Sequence, residues 1–124
     1  MKRIALLLVF ACPIAVFAGN YATCLIDKMP GSENEIFTSS VIAECSAEHT
    51  GTLYAIKKGS GLGFFGFKNA EACVQSKTKT TPSRRAALMI SMACRCLYTP
   101  ATFNGEMCAY STTLPWDQLF ESKQ

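Results

Sequence analysis

Thr81-Pro82-Ser83-Arg84-Arg85-Ala86-Ala87-Leu88-Met89-Ile90-Ser91-Met92-Ala93-Cys94-Arg95-Cys96-Leu97-Tyr98 decides the fold class. Pro82 suits a first helical turn, because its missing N–H is one of the donors a helix start leaves unpaired anyway. Ala86, Ala87, Ile90, Ala93, Cys94 and Leu97 then recur at helical spacing, and Thr99-Pro100 stops the run. This is the clearest helix of the chain. Cys94 and Cys96 lie two apart on it, so they point in well-separated directions and each needs its own partner.

The remaining segments extend the same class. Tyr21 to Met29 reads as a short helix ended by Pro30-Gly31. Ser32-Glu33-Asn34-Glu35 reads as a capping box, with Ser32 as N-cap, opening a helix to about His49. Phe37, Val41, Ile42 and Cys45 share one face of it. Leu53 to Lys58 is a brief run compatible with extended chain. Asn69 can cap a third helix, Ala70 to Lys77. In the tail, Met107 to Tyr110 reads as extended, Trp116 to Phe120 as a short helical turn, and Trp116 as an anchor onto the helices. The expectation is a mainly α, disulfide-stapled domain of four helices with an irregular C-terminal tail.

The chain has 124 residues, seven cysteines, one histidine and a formal net charge of +3. That length allows one domain and excludes a large enzyme or a solenoid. Lys2 and Arg3, an apolar stretch from Ile4 to Phe17, and Val16-Phe17-Ala18 follow the three-part plan of a secretory signal peptide. The stretch is shorter than a membrane span needs and contains Pro13, which argues against an uncleaved anchor. A lipoprotein cut before Cys12 fits less well, since Phe10 is bulky and the apolar run continues to Ala18. Cleavage after Ala18 leaves 19–124 as a single domain of 106 residues, secreted or periplasmic. It also removes Cys12, so six cysteines remain.

An even count in an exported chain of this size reads as a disulfide framework. Six cysteines allow fifteen pairings. Cys24 and Cys45 are 21 apart, and so are Cys73 and Cys94. Superposing the two segments places Leu25 on Val74, Lys28 on Lys77 and Val41 on Ile90, which suggests two helical hairpins, each with its own staple. That repeat favours Cys24–Cys45 and Cys73–Cys94 and leaves Cys96–Cys108. No metal or cofactor is expected: there is no Cys-x-x-Cys pair, and His49 is the only imidazole.

Charge is segregated along the mature chain. Residues 19–49 sum to −4, residues 50–105 to +7 and residues 106–124 to −2, so a total of +1 conceals a basic middle. Gly61-x-Gly63-x-x-Gly66 matches the dinucleotide fingerprint literally, but no βαβ unit surrounds it and no acid follows at the required distance. Gly59 to Lys68 reads instead as a loop presenting Phe64, Phe65 and Phe67 between Lys57, Lys58 and Lys68, or as one whose phenylalanines fold back onto the core. Arg84 and Arg85 oppose the dipole of the fourth helix, so an anion or an acidic side chain should sit there.

These residues are the candidate surface of a non-enzymatic binding protein: Lys57, Lys58, Phe64, Phe65, Phe67, Lys68, Arg84 and Arg85. The expected partner is a protein or an anionic envelope component, and not a nucleic acid. A membrane-active protein with exposed phenylalanines, in peripheral contact with lipid, is the first alternative. A small hydrolase built on His49, beside Glu48 or Ser46, is the second. It predicts a cleft at His49 with a serine or carboxylate in reach.

Overall fold

The computed structural model describes residues 19–49, 52–63 and 66–108. Residues 1–18 and 50–51, Phe64, Phe65 and the tail from 109 lie outside the described residues. Four helices follow in order: α1 Tyr21–Lys28, α2 Glu35–Glu48, α3 Ala70–Thr78 and α4 Arg84–Tyr98. A short 3₁₀ turn spans Leu53–Ala55. The described residues contain no named strand, and one antiparallel bridge joins Lys57 to Met107. The fold is mainly α with three disulfides, as its periodicity predicts.

α4 is the axis, and α1, α2 and α3 all pack on it. The apolar face read from the sequence is its buried face: Ala86, Ile90, Ala93, Cys94 and Leu97 are buried, with Ala87 half-buried. Leu25 and Met29 meet them from α1 and its C-terminal cap, and both are fully buried. Each of the first two disulfides staples a short helix to the longer one after it. Cys24–Cys45 joins α1 to α2, and Cys73–Cys94 joins α3 to α4, with a Cα separation of 5.7 Å in both. Cys96–Cys108 ties the end of α4 to the segment beyond it.

The start of α2 differs from the sequence reading. Its N-cap is Asn34, whose side chain accepts from Phe37 N at 2.9 Å. Ser32 is fully buried instead. Its hydroxyl donates to Met29 O at 2.6 Å, and its carbonyl accepts from Ser83 N at 3.0 Å. Ser32 is buried where the turn after α1 meets the start of α4, so its hydroxyl is turned to Met29 O, which also accepts from Ser32 N at 3.1 Å, rather than to a helix start. Asn34 caps as well as serine does, so the helix loses nothing by starting later. A capping box does occur, at α1, between Asn20 and Thr23.

Leu53 to Lys58 is extended only at its end. Lys58 N donates to Glu106 O at 2.9 Å and Cys108 N to Ile56 O at 2.8 Å. The pair Lys57 and Met107 between these bonds is therefore non-hydrogen-bonded, with side chains adjacent on one face. Both are exposed, while Ile56 and Cys108 point inward and are buried.

Candidate functional site

The last four carbonyls of a helix lack partners within it. At the end of α4 the glycine-rich segment supplies donors. Gly59 N donates to Cys96 O at 2.9 Å, and Gly61 N donates to Leu97 O at 2.8 Å. A methyl group on Gly61 would stand 2.9 Å from Leu97 Cβ and 2.9 Å from Tyr98 Cε1. Gly66 has φ +119° and lies against the Tyr98 ring. The glycines that mimic a dinucleotide motif thus let the backbone lie on a helix end and an aromatic ring. Phe67 completes the cover. It is half-buried and meets Tyr98 edge-on, with ring centroids 5.4 Å apart. Burial pushes the Tyr98 phenol above its ordinary value, against a hydrogen bond with the Phe67 backbone. Of the three phenylalanines in the candidate surface, the described one folds back.

The basic side chains divide into two groups. Lys57, Lys58 and Lys68 flank the segment that covers the C-terminal end of α4. Arg84 and Arg85 open its N-terminal end, about 20 Å away at 1.5 Å of rise per residue. Arg85 is absorbed locally. Its guanidinium lies 3.7 Å from Glu35 and donates to Ser39 Oγ at 3.0 Å. The acidic side chain that offsets Arg85 at this helix start is therefore Glu35, from α2, whereas Arg84 is exposed and makes no ion pair among the described residues. Lys58 pairs with Glu106 at 3.0 Å, and Lys77 approaches Asp27 at 3.9 Å. Lys57, Lys68 and Arg95 are exposed and make no ion pair among the described residues. Leu62, Phe103 and Met107 are exposed on the two loops at this same end. These three and Arg95 were not readable as site residues, because exposure depends on how the loops pair.

A second arrangement lies where α2 ends. Gly19, Asn20, Tyr21, Glu48, His49, Thr52, Ala55 and Ile56 line a cleft of about 280 Å³. Lys28 donates to Glu44 at 2.6 Å and to Glu48 at 2.8 Å. Its bond to Glu48 holds that carboxyl below the usual carboxylate range, while the two glutamates raise Lys28. The other Glu48 oxygen stands 3.9 Å from His49 Nε2 and 3.7 Å from Cys24 Sγ. That sulfur is bonded to Cys45, so it has neither a proton to donate nor a thiolate for a metal. The cleft therefore offers a carboxylate beside an imidazole, with Tyr21 and Thr52 in its lining. Ser46 is exposed on α2 and is not part of it.

Comparison of the chain with protein-family models, characterised proteins and solved structures finds no significant match.

Proposed function

We propose that the chain is an exported, non-enzymatic interaction protein that meets an anionic partner through the C-terminal end of α4. Export is supported by the leader-like first eighteen residues and by three disulfides. One observation carries the binding surface. Lys57, Lys68 and Arg95, cations without an ion pair among the described residues, share one end of the fold with exposed Leu62, Phe103 and Met107. Charge without an internal partner attracts and orients an anionic one, and apolar side chains beside it add contact area. The reading leaves out Arg85, which pairs with Glu35, and Phe67, which packs on Tyr98, and it leaves out Arg84, which has no ion pair among the described residues but stands at the far end of α4.

The test uses the mature, oxidised chain against three anionic probes: vesicles containing phosphatidylglycerol, an anionic polysaccharide and an acidic peptide. The expected result is binding to at least one of them that weakens with salt, as exposed charges must. The triple variant Lys57→Gln, Lys68→Gln, Arg95→Gln should lose it. Equal binding by wild type and variant to every probe, or no binding by wild type to any, overturns the reading. The vesicle arm separates membrane contact from protein contact. Affinity capture from envelope and culture extracts would then identify the natural partner. A hydrolytic role for His49 is the second reading, favoured by the cleft that sets Glu48 beside it.

A further inference from the structure

We propose that Glu48, His49 and the α-amino group of Gly19 form a site for a divalent transition-metal ion, copper(II) before the others. The site is separate from the basic end of α4, and it rests on cleavage of the leader after Ala18.

Its geometry comes from three neighbours in one cleft. Lys28 occupies one oxygen of Glu48 at 2.8 Å, which leaves the other facing His49 Nε2 across 3.9 Å. That gap is too long for a hydrogen bond. It suits two donors that share an ion, each at about 2.0–2.2 Å from it. Gly19 closes the third side. A methyl group built on its Cα would stand 3.9 Å from His49 Cε1, and Gly19 lines the same cleft as Glu48 and His49.

In the uncleaved chain the Gly19 nitrogen is an amide, which is a poor ligand. Cleavage after Ala18 turns it into a primary amine on a residue that lines the same cleft. The donor set becomes two nitrogens and one carboxylate oxygen, with water completing the coordination. Nitrogen and oxygen donors of this kind bind copper(II) more tightly than zinc(II) or nickel(II). Cys24 adds no thiolate, since its sulfur is in a disulfide. Gly19 also suits the role sterically, because a side chain there would meet Thr23 Oγ1 at 3.0 Å.

The test uses the oxidised chain prepared to begin at Gly19, titrated with copper(II) against a competing chelator. Electron paramagnetic resonance counts the nitrogen ligands. The expected result is one equivalent of copper coupled to two nitrogens. His49→Ala should weaken binding at least about tenfold, a loss already typical of removing an outer-shell partner. Adding one alanine before Gly19 should weaken it as much, and this variant changes no side chain of the fold. It decides the matter even if His49→Ala fails to fold. Equal affinity in the extended chain, or no stoichiometric binding by the chain that begins at Gly19, overturns the site. The intact mass of the exported protein tests the leader separately. A mature start other than Gly19 refutes the biological assembly of the site, whatever the prepared chain binds.

Discussion

Replacing Gly61 by alanine tests whether the glycine-rich segment exists to cap α4. The new methyl group would stand 2.9 Å from Leu97 Cβ, 2.9 Å from Tyr98 Cε1 and 3.0 Å from Leu97 O. Two of these neighbours belong to the helix backbone or its first side-chain atom and cannot swing away. Relief requires the loop to lift from the helix end, which breaks the 2.8 Å bond from Gly61 N to Leu97 O. Overpacking costs about 1–3 kcal/mol, and the lost buried hydrogen bond about 1 kcal/mol more. A destabilisation of about 2–4 kcal/mol lowers Tm by roughly 10–25 °C in a domain of this size. Gly63 is the control, with nothing among the described residues within 4 Å of a methyl group there. Gly63→Ala should stay within about 0.5 kcal/mol of wild type, or gain slightly from a stiffer unfolded chain. Thermal denaturation of the oxidised chain, followed by circular dichroism, reads both variants. A Gly61→Ala protein as stable as wild type, or a Gly63→Ala protein equally damaged, refutes close approach as the reason for these glycines.

Acid should act through Glu106. Its carboxylate accepts from Thr102 N at 2.6 Å, from Lys58 at 3.0 Å and from Thr102 Oγ1 at 2.9 Å, which holds it at about 2 against an ordinary 4.5. Because the folded value is depressed, its contribution is complete above about 4.5 and is lost as pH falls towards about 2. The stability difference between wild type and Glu106→Gln should shrink across that window, and a carboxyl titration by NMR near the ordinary value would contradict the assignment. Ser83→Ala removes the N-cap of α4, where Oγ accepts from Ala86 N at 3.2 Å and meets Thr38 Oγ1 at 3.1 Å. It should cost about 1–2 kcal/mol and speed amide exchange at Ala86, and unchanged exchange there argues against the cap. Replacing Cys96 and Cys108 by alanine opens a loop with a sequence separation of 12 and should cost about 3 kcal/mol. Amide protection at Lys58 and Cys108 should fall while that of α1 persists, and equal loss in both would show that the bridge holds more than its own end.

Helices whose residues obey one strong local constraint were legible. α4 follows its apolar spacing, and α3 begins at Asn69, whose side chain accepts from Ala72 N at 2.8 Å. The two 21-residue cysteine spacings mark equal distances along two helical hairpins, and the bonds join those pairs. Ser32 was misread because its local context satisfies the capping rule while its tertiary context overrides it. The turn that holds it is buried against the start of α4, where Ser83 N donates to Ser32 O, and that burial cannot be read from neighbouring residues. The same limit applies to Phe67. A phenylalanine in a glycine-rich loop reads equally well as a tip or as a lid, and the choice depends on Tyr98, thirty-one residues away. Glu48 beside His49 is visible in sequence as two neighbours. The cleft they line also needs Gly19 to Tyr21 from the opposite end of the hairpin.

Function has to be sought in side chains whose chemistry the fold leaves unspent. Arg85 opposes the dipole of α4, and Glu35 and Ser39 answer it. Gly59 and Gly61 are explained by the carbonyls of Cys96 and Leu97. Lys58 is explained by Glu106, and Phe67 by Tyr98. The same reasoning does not absorb Lys57, Lys68 or Arg95, whose desolvation no internal partner offsets and which therefore stay in water. It does not absorb Ile36 either, a large apolar side chain 84% exposed on the first turn of α2, for which the packing offers no account. At the cleft, Lys28 satisfies one oxygen of Glu48 and leaves the other directed at an imidazole it is too far away to bond. At the C-terminal end of α2 a carboxylate opposes the helix dipole, and it is Lys28 that answers the charge of Glu48 there. The 3.9 Å between Glu48 Oε2 and His49 Nε2 leaves both atoms without a hydrogen bond to each other, and a cation bound between them would use both as donors.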